Sequence, residues 1–222
     1  MKNVIKIFIV FLPWSARRIL LIKIFKYKLH TNSKIGLSFV FPDYLEMGEG
    51  AVIGNFTIAI NIEKLVVGEN STIGRNNWIT GFPKSSKSKH FSHQEDRKPE
   101  LIIGKHSSIT KNHHIDCTNS IIIGDFVTIA GYNSQLLTHS INVFENRQDS
   151  NPIKIGDYSF VGTNVVILGG AKLPSYSVLG AKSLLNKDFS EEWMLYAGVP
   201  AKAVKSISKD AKYFSRKEGF VY

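Results

Sequence analysis

Along some two thirds of this chain the apolar positions recur neither at the 3.6-residue spacing of a helix nor with the alternation of a long strand, but at every sixth residue. Ile35, Phe41, Met47, Ile53 and Ala59 form one run, Val67, Ile73 and Ile79 a second, and Ile103, Ile109 and Ile115 a third. Ile123, Ile129 and Gln135 follow, then Ile155, Val161, Ile167, Leu173, Leu179 and Leu185. Nineteen of these 20 positions are apolar, where a chain that is 43% hydrophobic would supply fewer than nine. The residue after each position is an independent check on that register: ten of the 17 glycines fall there.

A period of six suits a very short strand followed by a tight corner. One aliphatic side chain per hexad points inward, and glycine or another turn-forming residue takes the corner, where a Cβ is penalised. Three hexads close a triangular coil of about 18 residues, and stacked coils bury a continuous aliphatic column while pairing backbone groups between coils. The repeat over 35–187 therefore predicts an all-β coil of six to seven turns, flanked by a segment 1–34 and a tail 188–222.

Interruptions of the period mark loops. Two-residue insertions fall between Ala59 and Val67 and between Ile115 and Ile123. Segments 80–100 and 136–154 are longer and non-periodic, so both are expected to project from the coil, with His90 and His93 of the first exposed to solvent. Beyond Leu185, residues 190–196 and 208–219 read as helices, giving a C-terminal helical tail.

At the other end, residues 4–12 are apolar apart from Lys6 but are cut by Pro13, far short of the roughly 18 to 20 residues that span a bilayer. Their uninterrupted apolar run is brief and no small-x-small site follows, which argues against a signal peptide. After a candidate N-cap at Ser15, residues 16–27 mix Arg17, Arg18, Lys23 and Lys26 with Ile19, Leu20, Ile22, Ile24 and Phe25, the make-up of a basic amphipathic helix. Two readings stay open: a helix that caps the end of the domain, or one that attaches peripherally to an anionic inner-membrane surface.

Composition narrows the classes. The 222 residues include 28 Lys and Arg against 18 Asp and Glu, a net charge of +10. Seven of the basic residues lie within 1–28, and no acid precedes Asp43, so only +3 remains for the rest of the chain and a nucleic-acid partner is not expected. The single cysteine, Cys117, excludes an intrachain disulfide and a Cys-based zinc site, and fits a cytoplasmic setting. Nothing in the sequence pairs Cys117 with a base, so it reads as a packing residue.

The [LIV]-G-x-x-x-x pattern resembles the hexapeptide-repeat acyltransferases, whose fold is a left-handed parallel β-helix; handedness comes from that resemblance, because the period does not give it. Within the repeat, IGDFVTIAGYNSQLLTHSINVF at 123–144 resembles the IGD-x-V-x-IAG-x-x-SQ-x-x-TH segment of the family's sugar O-acetyltransferases, including those acting on capsular and lipopolysaccharide glycans. Maltose and galactoside acetyltransferases share a looser version. The resemblance makes His139 the catalytic base, and the chemistry suits it: a neutral imidazole with a pKa near 6.5 can take the proton of a sugar hydroxyl as it attacks a thioester. In NHHIDC, Asp116 fits the family's aliphatic-Asp pair that helps hold the acceptor, with Asn112 and His114 as further acceptor-binding candidates.

Downstream, IGDYSFVGTNVVILGGAKLPSYSVLGAKSLLNKDF and YAGVPAKAVK resemble the segments that line the family's coenzyme A groove. By that resemblance Gly162 and Thr163 lie along the pantetheine, with Phe160 where relatives often carry Trp, and Ala181 offers its backbone. Asn186 and Lys187 follow on the same edge, while Pro200, Lys202 and Lys205 lie by the adenine and the 3′-phosphate. The resemblance implies acetyl-CoA as donor, a sugar or polysaccharide acceptor, and a homotrimer with the coenzyme groove between subunits. No metal is expected: the γ-class carbonic anhydrases share the fold, but their H-x-x-x-x-H spacing does not occur here. The function expected is acetyl-CoA-dependent O-acetylation of a bacterial surface glycan or its precursor. The alternatives are N-acetylation of an amino-sugar nucleotide and a non-catalytic trimeric scaffold.

Overall fold

The structure is a computed structural model that describes residues 2–222. Residues 28–185 wind through seven triangular coils, each giving one short strand to each of three parallel sheets. The first face runs from Lys28–Leu29 to Lys172–Leu173, the second from Lys34–Ile35 to Val178–Leu179, and the third from Phe39–Val40 to Leu184–Leu185. Aliphatic side chains fill the axis, Leu65, Ile73, Ile79, Ile109 and Ile167 among them, all essentially without solvent contact. Buried hydroxyls serve the corner backbone: Ser107 Oγ donates to the Gly124 carbonyl at 2.7 Å and accepts from Val127 N–H at 2.8 Å.

The six-residue register holds on the first two faces and slips at two points on the third. Val40 rather than Phe41 stands in register with Ala59, because the first coil's corner is one residue shorter. Gln135 is exposed and Leu136 takes the inward position, because Gly131, Tyr132 and Asn133 make a corner one residue longer, with left-handed backbone at Gly131 and Asn133. The apparent polar intrusion into the core is thus a corner insertion.

The corner between the first and second faces carries an aromatic ladder that the hexads do not announce. His106, Phe126, Tyr158, Tyr176 and Trp193, all with φ near +55°, stack ring on ring with centroids 4.5–5.3 Å apart. Stacking offsets the strain of left-handed backbone at bulky residues. The tail lies across this ladder: the Arg216 guanidinium sits 5.7 Å from the Phe126 and Tyr158 centroids, and Phe214 is buried against Trp193.

The tail corrects the helical expectation. Residues 190–196 do not form a helix; Met194–Gly198 adds to the second face and Ala201–Ser206 folds back on it as an antiparallel strand. Only Lys212–Ser215 is helical, as a single 3₁₀ turn. The open edge of the last coil offers unpaired backbone groups, and extending the sheet satisfies them as a short isolated helix would not.

At the N-terminus, helix α1 (Lys2–Val10) and helix α2 (Trp14–Phe25) cover the opposite end. Of the two readings, α2 meets the first: Leu21 is buried in the core, and Arg17 turns inward, donating to the carbonyls of Ile35, Gly36 and Val10. A guanidinium that was expected on a solvated basic face instead satisfies the exposed end of the coil. The coil itself begins at Lys28, within the segment 1–34 set apart by the sequence pattern.

Candidate active site

Both long loops leave from the corner between the third and first faces. Segment 81–99 leaves the third coil after Trp78–Thr80, and 138–152 leaves the fifth after Gln135–Leu137; the strand His114–Asp116 lies between them. Gly81 makes the first exit possible, since a Cβ there would sit 2.6 Å from the Cys117 carbonyl oxygen. Cys117 itself is fully buried, and desolvation pushes its thiol pKa up, so it packs and does not react.

His139 opens an antiparallel hairpin, His139–Asn142 against Arg147–Ser150. Its Nδ1 lies 2.7 Å from Asp116 Oδ2, which also accepts the His139 backbone N–H at 3.1 Å and the Thr138 hydroxyl at 3.0 Å. Thr118 donates its hydroxyl to Oδ1 at 2.7 Å. Burial pushes the Asp116 carboxyl up, but the hydrogen bonds from His139, Thr118 and Thr138 outweigh it and hold the group below its usual range. The bond to Asp116 likewise raises the His139 imidazole against the opposing effect of partial burial. With Asp116 ionised, Nδ1 donates and Nε2 is left as the basic nitrogen. Asp116 was expected to hold acceptor hydroxyls; both its oxygens are engaged by protein donors, among them the His139 ring and backbone.

His114 is exposed on the outer side of the same strand, two residues from Asp116 and on the same face. Asn112 is not brought to His139: it is a left-handed turn residue at the opposite corner of the third face, its N–H bonded to the Arg75 carbonyl. His113 is buried between Thr110 Oγ1 (3.0 Å) and Ser134 N–H (3.1 Å), and desolvation lowers its pKa to about 4, so it is a neutral core histidine.

The basic loop does not simply project. Phe91 is buried and meets the His139 ring edge-to-face at 6.0 Å. Gln94 Nε2 donates to the Ser150 carbonyl and its Oε1 accepts Ser150 N–H, both at 3.0 Å, while His93 Nε2 lies 2.6 Å from Asp149. The loop is therefore fastened to the hairpin that starts at His139; His93 is exposed, as expected, and also bonded to Asp149. Two phenylalanines, Phe82 and Phe91, in an otherwise polar stretch were the available signal.

The donor-site candidates divide between two edges. Phe160 lies on the second face under Tyr213, with ring centroids 5.8 Å apart. Gly162, Thr163 and Ala181 lie at the corner between the second and third faces, where the hairpin turn also rests, Gly198 N–H donating to Ser183 Oγ at 3.1 Å. Gly162 is small for a reason inside the coil: a Cβ there would meet Ala181 N at 2.7 Å. Asn186 and Lys187 follow Leu184–Leu185 and sit at the other corner, near Lys172, and not on the same edge as Ala181. Pro200 is in the exposed hairpin turn. A one-residue bulge at Val204 brings Lys202 and Lys205, opposite Ala197 and Leu195, onto one side of the outer strand.

No family model matches the chain. Among curated proteins it is 28% identical over 160 residues, 70% of this chain and 73% of the relative, to galactoside O-acetyltransferase of Escherichia coli. Among solved structures, a hexapeptide-repeat-containing acetyltransferase of Vibrio cholerae complexed with acetyl coenzyme A superposes with a TM-score of 0.51 at 22% identity, over 93% of this chain and 85% of that one. A mutant of AntD, an N-acyltransferase from Bacillus cereus in complex with dTDP-4-amino-4,6-dideoxyglucose and coenzyme A, superposes with a TM-score of 0.59 at 14% identity, over 76% and 87%. Repeat, coil and solved structures agree on the fold: the chain is a left-handed parallel β-helix like those of the hexapeptide-repeat acetyltransferases, and it is similar in sequence to an O-acetyltransferase.

Proposed function

We propose that this chain transfers an acetyl group from acetyl-CoA to a hydroxyl of a bacterial surface glycan, such as a capsule, O-antigen or exopolysaccharide, or of its precursor. The observation that carries this is the His139–Asp116 pair. Nε2 of His139 takes the acceptor hydroxyl's proton as its oxygen attacks the thioester carbonyl. The tetrahedral adduct then expels the coenzyme A sulfur, which receives that proton, leaving an O-acetyl ester and free thiol. An amine, once deprotonated, is already a good nucleophile; a hydroxyl is not, so a histidine made more basic by a buried carboxylate favours O-transfer over the N-transfer alternative. Comparing the surface glycan by mass spectrometry with and without the protein tests the reading: a gain of one acetyl supports it, and an unchanged glycan sinks it.

The edges support a homotrimer. Gly162, Thr163 and Ala181 are separated from His139 by the width of the third face, so a donor lying along that edge is better placed for the histidine of a neighbouring copy. Peripheral attachment to an anionic membrane surface is supported by α1 and the residue after it: Phe8 and Phe11 are 70% and 74% exposed, and Phe11 lies beside Leu37 and Phe56. Among the described residues no helix is long and apolar enough to cross a membrane.

A further inference from the structure

Net charge is concentrated in two stretches. Residues 1–28 hold seven basic residues and no acid, and the loop 81–99 holds five Lys and Arg against Glu95 and Asp96; elsewhere the charges cancel. That loop encloses a cavity of about 340 Å³ whose lining includes Phe82, Lys84, His90, Phe91, Glu95 and Arg97. Phe91 joins the cavity to the chemistry, since it both lines the space and touches the His139 ring.

Arg97 is 3% exposed, with its guanidinium 4.8 Å from the Phe91 centroid and 5.9 Å from that of Phe82. Its Nη1 donates to the carbonyls of Phe82 and Thr118, and its Nε has no partner. Among the described residues no ion pair includes it. The guanidinium is withdrawn from water and hydrogen-bonded only to neutral carbonyls, while the carboxylates of Glu63 and Asp116 act on it through space without pairing with it; a forked contact to an oxyanion is the pairing that suits its geometry. Lys84 and His90 add cationic capacity around the same space, and Glu95 is the one carboxylate in its lining.

We infer that the cavity under loop 81–99 is an anion subsite beside His139, and that the acceptor bears a carboxylate or phosphate on, or next to, the sugar that is acetylated. That the ligand is the acceptor rests on the acetyl-transfer reading of His139; anion binding does not. The experiment therefore uses the His139→Ala protein without acetyl-CoA. By calorimetry or ligand-observed NMR it is titrated with the methyl glycosides of a hexuronic acid, a hexose 6-phosphate and a neutral hexose, at low and high salt. At least one charged glycoside should bind tenfold or more tighter than the neutral one, with the gap closing at high salt. Lys84→Glu, which alters the lining without touching the core, should reduce that preference several-fold at an unchanged thermal midpoint. Tighter binding of the uronate names a carboxylate as the source, and of the sugar phosphate a phosphate. No binding, equal binding of all three, or a preference untouched by Lys84→Glu overturns the subsite. A preference for the anion in a wild-type protein that acetylates none of the three upholds the subsite and counts against the reaction.

Discussion

Asp116 Oδ2 receives both the ring Nδ1–H (2.7 Å) and the backbone N–H (3.1 Å) of His139, so one carboxylate oxygen fixes the orientation of the side chain and the start of the hairpin that carries it. The imidazole is raised by this bond, and only its neutral form can act as base, so kcat/KM should rise with pH through that raised pKa. Asp116→Asn removes the charge and keeps the shape. The acid limb should move to lower pH and the plateau fall by about tenfold or more, as the imidazole loses its enforced tautomer. A pH–rate profile for the variant that overlays the wild type would show that Asp116 does not act through His139.

His139→Ala should lower turnover by roughly 10²- to 10⁴-fold, the usual worth of a general base, while the protein still binds coenzyme A and assembles normally. The donor candidates Gly162, Thr163 and Ala181 lie at another corner, so binding and chemistry should separate. Steady-state rates with acetyl-CoA decide it: a variant within threefold of wild type removes His139 from the mechanism.

Buried His113 predicts a pH-dependent stability. Its pKa is lowered to about 4, whereas the unfolded chain takes up a proton near 6.5. The unfolded state therefore binds more protons between those values, and stability is lost as pH falls from about 6.5 to about 4, by at most about 3 kcal/mol. His113→Gln should be less stable at neutral pH, because the Thr110 and Ser134 contacts are disturbed, but its denaturation midpoint should vary less with pH across that window. Parallel pH curves for the two proteins would contradict the neutral assignment.

Lys202 and Lys205 share one side of the outer strand through the bulge at Val204, as a joint contact to one phosphate requires. Both are exposed, so each contact is worth about 1 kcal/mol or less. The double Ala variant should raise the Michaelis constant for acetyl-CoA several-fold with little change in turnover, since the loss falls equally on ground and transition states. It should also use dephospho-acetyl-CoA nearly as well as acetyl-CoA. Equal use of both donors by the wild type would remove the phosphate role.

If α1 lies on a membrane, the protein should float with anionic vesicles at low salt and less at high salt. Replacing Phe8 and Phe11 by Ser removes the two most exposed aromatic side chains at this end of the coil, and the bound fraction should fall about tenfold or more. Flotation that ignores both salt and the two substitutions would leave α1 as part of the cap alone.

The sequence by itself determined the coil, because a period of six with a small residue after the inward one admits little else: Ile53, Ile73, Ile109, Ile129 and Val161 stack down the second face as spaced. It also singled out His139 as the candidate base, through the residues around it. Only the tertiary structure decided what the spacing does not encode. Leu136 displaced Gln135 because a corner can absorb one residue without disturbing the strands it joins. Arg17 went inward because carbonyls at the coil's open end needed a donor more than water needed another cation. Asp116 became the partner of His139, and Phe91 its neighbour, because three stretches from successive coils leave the third face at one corner. A one-dimensional repeat specifies neighbours at a fixed offset; contacts between loops of different lengths depend on where folding puts them, and there the candidate site lies.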